Sequence, residues 1–352
     1  YECDKIRFRQ GTPEKIGGWQ RISASTFLGV CRSIWNWVTL TSQNLVGLGT
    51  NLKFYIENGG GYYDITPLRK AAATLGNNPF VAVSGSATVT VTDATGGYIE
   101  GDFVTFSGGS SVGGLDLNAE FQIASLVSTT SYTIVASSNA SSSATGGGSS
   151  VTAAYQINVG PAFVIPLTGW GASAWGSGAW GIGSESVEEV RQWSQANFGE
   201  DLIFGPRGGK LFYWDASATN SLSVRGVALS SISGASNVPT VQNLTLVSDI
   251  SRFVFCFGCN ELGSATLNTM LIRWSDQEDA TNWTPSATNQ AGDLILSSGT
   301  AIIAAKQSRQ ELLVWTDSAL YALQYVGAPA VWTAQLVGEN ISIASQNAVA
   351  YA

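Results

Sequence analysis

The densest set of groups able to do chemistry lies in Arg273-Trp274-Ser275-Asp276-Gln277-Glu278-Asp279-Ala280-Thr281-Asn282-Trp283. Two of the carboxylates of Asp276, Glu278 and Asp279, held about 5–9 Å apart, could act as acid and nucleophile on a glycosidic bond. The same hard oxygens could hold Ca²⁺. The plainer reading is a hairpin turn, with Ser275 and Asp276 satisfying turn amides and Trp274 and Trp283 packed beneath. Elsewhere the chemistry is thin. The chain has 0 histidines, which removes Ser-His-Asp and Cys-His nucleophiles and His-bound metals. Cys256-Phe257-Gly258-Cys259 has CxxC spacing, but no second pair completes a zinc site. It continues the apolar run Phe253-Val254-Phe255, so its thiols read as buried in a strand. Gly205-Pro206-Arg207-Gly208-Gly209-Lys210 lacks the spacing of a phosphate loop and leads into a strand, so it reads as a hairpin turn. The expectation is a protein that is not an enzyme and that carries no metal and no cofactor.

Charge sets the next limit. Lys and Arg total 17 against 25 Asp and Glu, a formal charge of −8, and only 12% of the 352 residues are charged. Such a chain gains nothing from counterion release, so gripping nucleic acid is disfavoured, whereas a surface that DNA passes without adhering remains open. No run approaches the ~20 apolar residues of a membrane helix, so membrane insertion is not expected. Neither a signal peptide nor a targeting pattern opens the chain at Tyr1, and a strand-like pattern is still running at Val349-Ala350-Tyr351-Ala352, so the sequence reads as a portion of something longer.

The elements that would position these residues are strands. Ile34–Val38, Leu45–Gly49, Leu52–Ile56 and Tyr62–Ile65 are short apolar runs separated by turns, about the content of one propeller blade. Asp201–Phe204 with Lys210–Asp215, Phe253–Phe257 with Met270–Trp274, and Ala301–Ala305 with Glu311–Trp315 and Ala319–Leu323 look like the same unit again. Tyr213-Trp214-Asp215, Arg273-Trp274-Ser275-Asp276 and Val314-Trp315-Thr316-Asp317 close those runs alike. Repeated meanders of this kind predict an all-β fold, a β-propeller whose blade set need not be complete in this chain. The competing arrangement is a plain sandwich.

The organisation expected is an N-terminal segment and first blade over 1–77, a small inserted β domain over 78–161, and a Gly/Trp crossover with further blades over 162–352. The insert lacks Trp and alternates strictly at Ala87–Thr92; its tail, Ser137–Ser150, reads as a loose loop. Ser184–Trp193 reads equally as a short helix with an acidic start or as a strand entering the next blade. Gly169–Gly181 places Trp170, Trp175 and Trp180 five residues apart among Gly, Ala and Ser. Neither helix nor regular strand suits that pattern. The three rings are expected as anchors, either of a crossing loop on its own domain or in pockets of a neighbouring subunit.

Several stretches resemble the tail nozzle proteins (tail tubular protein B) of short-tailed bacteriophages. They are Cys3–Arg9 with Pro13–Trp19, Leu48–Tyr55 followed by Tyr63–Arg69, the Gly-Trp repeat and Arg273–Asp276. The resemblance implies a virion structural subunit that forms a homo-hexameric ring around the DNA-ejection channel. It would close that channel until host contact and then let double-stranded DNA pass. A tail adaptor protein above the ring and tail fibres are the partners it implies, with assembly in the host cytoplasm. The acidic balance fits a lumen that does not hold the genome, and Glu57, Asp64 and Asp102 are acids such a lumen could draw on. The turn at 273–283 also resembles the Asp-box hairpin of sialidase-like propellers, without that motif's central Gly. A carbohydrate-binding or carbohydrate-cleaving propeller at a virion surface is therefore the alternative. A secreted adhesin is a third reading.

Overall fold

The computed structural model describes residues 6–18, 23–160, 190, 192–249 and 251–350. Short β-branched and aromatic runs, cut by turns that Gly, Asn and Asp close, leave the chain little but antiparallel strands. The only helical turns among the described residues are Ser221–Ser223 and Leu229–Ser231. No helix there is long and apolar enough to cross a membrane.

A hairpin of β1 (Ile6–Arg9) and β2 (Thr12–Lys15) comes first, followed by the first meander: β3 (Cys31–Val38), β4 (Asn44–Thr50), β5 (Phe54–Asn58) and β6 (Gly61–Asp64). The insert carries β7 (Ala73–Thr74), β8 (Phe80–Ala82), β9 (Thr88–Thr92), β10 (Phe103–Ser107), β11 (Glu120–Ser128), β12 (Ser131–Val135), β13 (Ala144–Gly146) and β14 (Thr152–Tyr155). The second meander is β15 (Trp193–Phe198), β16 (Asp201–Pro206), β17 (Phe212–Trp214) and β18 (Val227–Ala228). The third is β19 (Gln242–Val247), β20 (Val254–Asn260), β21 (Leu267–Trp274) and β22 (Gly292–Ile295). The fourth is β23 (Ile302–Gln307), β24 (Leu312–Thr316), β25 (Ala319–Gly327) and β26 (Val331–Glu339).

Each meander is a separate four-stranded sheet in sequence order, and the cores lie between neighbouring sheets. Trp37, Leu45, Phe54 and Ile56 of the first pack on Trp193, Leu202, Phe204 and Trp214 of the second. Ala196 and Ile203 of the second pack with Val254, Cys256 and Leu271 of the third. Phe255, Phe257, Ile272 and Trp274 of the third pack on Leu312, Val314, Tyr321 and Leu323 of the fourth. Four blades stacked face to face in chain order are a β-propeller, and the insert is a β domain carried between its first two blades. The third blade is covered on both sides. This is why β20 is apolar without alternation, and every one of its residues is buried. Close approach has a local cause too. A Cβ on Gly49 would lie 2.4 Å from Trp193 Cδ1, so only glycine lets the Trp193 ring settle on the first blade.

The insert is an eight-stranded antiparallel sheet in the order β13-β8-β9-β12-β11-β10-β14-β7, curled around its own core of Val89, Val91, Val104, Phe106, Ile123, Tyr132 and Ile134. The expected alternation of Ala87–Thr92 appears in β9, where Val89 and Val91 face inward. The expected loose loop over Ser137–Ser150 is not one. It contributes edge strand β13, paired with β8, and buries Ala140. Its small residues let backbone pack against backbone. Ser141 N–H donates to the Gly113 carbonyl at 2.8 Å, so a composition that reads as loose here serves close packing.

The recurring aromatic ending also proves not to be one structural repeat. Trp214 and Trp274 end third strands, but Trp315 sits in the second strand of its blade. Trp214 moreover faces the preceding blade and Trp274 the following one. A repeat that does hold is the Thr at the end of a second strand. Thr50 and Thr316, both fully buried, each accept the backbone N–H three residues on, Lys53 at 2.9 Å and Ala319 at 2.8 Å.

Candidate functional site

The acidic stretch that carried the enzymatic reading is a built turn. Asp276 Oδ1 accepts the N–H groups of Gln277 at 2.9 Å and Gln290 at 2.8 Å, and Asp279 Oδ1 accepts the Thr281 N–H and hydroxyl. Ser275 is fully buried and its hydroxyl accepts the Val254 N–H. Beneath lies Trp283, 1% exposed, whose indole N–H donates to the Ala280 carbonyl. Glu278 alone points to solvent, and it holds φ +58°, the left-handed backbone in which glycine is at ease. Arg273, buried against this turn, donates to the carbonyls of Asn260, Asn237 and Trp283. Among the described residues no group of three or more Cys, Asp and Glu converges as a cation site.

Cys256 and Cys259 are free thiols with no exposed surface. Burial pushes both up, Cys259 to about 12, so neither forms the thiolate needed for metal binding or attack at neutral pH. Their spacing has a local cause: Gly258, at φ +59°, is the bulge between Phe257 and Cys259. Gly205–Lys210 turns β16 into the strand that follows, with Gly208 at φ +69°. Trp193 begins β15, so the strand reading applies at that end of Ser184–Trp193. Trp170, Trp175 and Trp180 lie outside the described residues.

Two of the three acids considered for a channel lining are tied up inside the molecule. Asp64 accepts from Lys53 Nζ at 2.7 Å and stands 3.3 Å from Arg225 Nη1. Glu120 of the insert pairs with the same Lys53 and lies 3.5 Å from Arg225 Nη2. Gln156, just past β14, donates to Glu120 at 2.5 Å. Lys53 is 4% exposed at its side chain and lies over the Phe103 ring. Burial alone would raise the Asp64 pKa, but Arg225 and Lys53 outweigh it and hold the carboxyl below its ordinary value. This cluster joins the first blade, the second blade and the insert. Asp102 pairs with Arg69 and accepts the Ile99 N–H, with its side chain 3% exposed. Glu57 accepts the Gly60 N–H at 2.7 Å.

A concave feature lies where the first strands of the blades converge. β3, β15, β19 and β23 wall a cavity of about 960 Å³. Among the described residues its charged groups are Arg32, Lys306, Arg309 and Asp249, three cations to one acid in a chain of formal charge −8. Burial lowers the Arg32 pKa from its ordinary value. Gln195 Nε2 donates to Ser33 Oγ at 3.0 Å across the first two blades, while Oε1 of Gln307 is buried without a hydrogen-bond partner among the described residues. Sequence reasoning missed this site because its cations, Arg32 in β3 and Lys306 and Arg309 at and just past the end of β23, lie about 270 positions apart. The only local signal is Lys306-Gln307-Ser308-Arg309, a polar tail on Ile302–Ala305.

No family model matches this chain, and no curated protein matches it. Among solved structures it is similar to the phage phi92 endosialidase, at 12% identity and a TM-score of 0.25, over 89% of this chain and 48% of that one. The chain therefore spans about half the length of that structure.

Proposed function

We propose that this chain is a structural, non-catalytic subunit of a short-tailed phage's tail nozzle, assembling as a ring of copies, six in number, around the DNA-ejection channel. The observation that supports it most is how the acidic chemistry is used. Asp276 and Asp279 are spent on turn amides, and Asp64, Glu120 and Asp102 on cations inside the molecule. A glycosidase needs two carboxylates free to face one bond, so the cleavage reading loses its candidate pair. What remains is a scaffold of face-packed blades with an inserted domain, low in charge and acidic overall. Like-charge repulsion from such a surface suits DNA that must slide without being held.

The test is assembly. The purified protein, mixed with its tail adaptor and viewed by negative-stain electron microscopy, is expected to form six-fold rings with an open or plugged centre. A protein that stays monomeric at high concentration and in the adaptor's presence contradicts the proposal, as does turnover of a glycan by the unmodified chain.

A further inference from the structure

The axial cavity is a candidate binding site that the nozzle role does not use. Its volume, about 960 Å³, is at the upper end of the ~300–1,000 Å³ over which proteins enclose small ligands. Its walls are the first strands of four different blades, so the site exists only in the folded propeller and its walls are held by the interblade cores. Three cations face it in a protein whose charge is otherwise negative. Arg32 and Arg309 have other interactions and supply field. Among the described residues Lys306 makes no ion pair and no side-chain hydrogen bond, and Oε1 of its neighbour Gln307 is buried without a hydrogen-bond partner.

An anion answers the cations. A lone inorganic anion would leave most of that volume, and its neutral lining, unused. Besides Gln307 the lining includes Asn347, Gln195, whose Oε1 has no hydrogen-bond partner among the described residues, and Gln346, whose Nε2 donates to the Trp193 carbonyl and leaves its oxygen to accept, amide groups that exchange hydrogen bonds with hydroxyls. Ile34 and Trp35 contribute apolar surface of the kind that meets the C–H faces of a sugar ring. We propose that this cavity binds a saccharide carrying a carboxylate, its acid group at Lys306 and its hydroxyls at the amides. Asp249 is the one acid in the lining among the described residues, where hydrolysis asks for two carboxylates, so the proposal is of binding.

The test is isothermal titration of the whole chain with a glucuronate-containing oligosaccharide, its neutral glucose counterpart, inorganic phosphate and a short DNA duplex. The acidic saccharide is expected to bind saturably and the neutral one at least tenfold more weakly. Lys306→Gln should weaken the acidic saccharide roughly ten- to hundredfold, as loss of a charge-assisted hydrogen bond does. Lys210→Gln, on an exposed hairpin outside the cavity, should leave binding unchanged. A melting curve of each variant checks that the propeller is intact. Absence of saccharide binding overturns the proposal, as does equal affinity for phosphate or duplex. Binding that Lys306→Gln leaves unaltered in a folded protein overturns it too.

Discussion

Replacing Lys53 by Met removes the centre of the charge cluster that joins the insert to the first two blades. The wild-type site balances two cations, Lys53 and Arg225, against two carboxylates, Asp64 and Glu120. Lys53→Met leaves a net charge of −1 in a site where Lys53 itself is only 4% exposed. Breaking a buried pair in this way costs about 3–5 kcal/mol. Asp64 and Glu120 keep 21% and 29% exposure at their side chains, so water screens part of the leftover charge and the lower end applies. About 3 kcal/mol, or a factor of roughly 150 in the folded-to-unfolded ratio, is the expected loss, read from urea unfolding. Adding Glu120→Gln to Lys53→Met restores neutrality with Asp64 and Arg225 still paired, so the double variant should be more stable than Lys53→Met alone. The pH dependence follows from Asp64, whose folded pKa lies below its ordinary 3.8. A depressed carboxyl pKa contributes stability that is complete above the unfolded value and is lost as pH falls through the folded one. Lys53→Met takes away one cause of the depression, so the stability gap between it and wild type should be largest near neutral pH and narrow as pH falls below the ordinary carboxylate range. A Lys53→Met protein within 1 kcal/mol of wild type, or a double variant whose losses simply add, refutes the reasoning.

Three further outcomes follow from the packing. Gly49→Ala should destabilise by roughly 1–3 kcal/mol by overpacking, because its Cβ would lie 2.4 Å from Trp193 Cδ1; a thermal melt no lower than wild type contradicts the close approach. Glu278→Gly should stabilise the chain by about 0.5–1 kcal/mol, since glycine adopts its φ of +58° without strain; a lower denaturant midpoint counts against the turn described. Cys256 and Cys259 should resist a thiol reagent at pH 8 in the native protein and react once urea unfolds it, the Cys259 thiol being pushed up to about 12; native labelling mapped by mass spectrometry to either residue contradicts their burial.

How much of this was legible in the sequence depends on the range of the interactions involved. Strand content, the hairpins around Gly205–Gly209 and Phe253–Trp274, the first blade and the burial of the CxxC run all follow from short-range patterning, since side-chain period and turn chemistry are local. The outer strands β18, β22 and β26 escaped, because a blade's edge is half solvated and carries a weak apolar signal. The Ser137–Ser150 tail was misleading for a related reason: small residues mark close backbone packing as readily as they mark loops. The Asp64–Lys53–Glu120–Arg225 cluster and the axial cavity were out of reach of sequence reasoning altogether. Each is assembled from residues tens to hundreds of positions apart, and sequence period says which face a side chain takes but not which distant face it meets.

The sequence by itself determined that the fold is all-β, acidic, without histidine chemistry, and built of meanders with an insert between them. Only the tertiary structure decided which acids are free. Ionisable groups pair wherever folding brings them together, so a carboxylate that reads as catalytic or channel-facing in sequence becomes a turn cap at Asp276 and an ion-pair partner at Asp64.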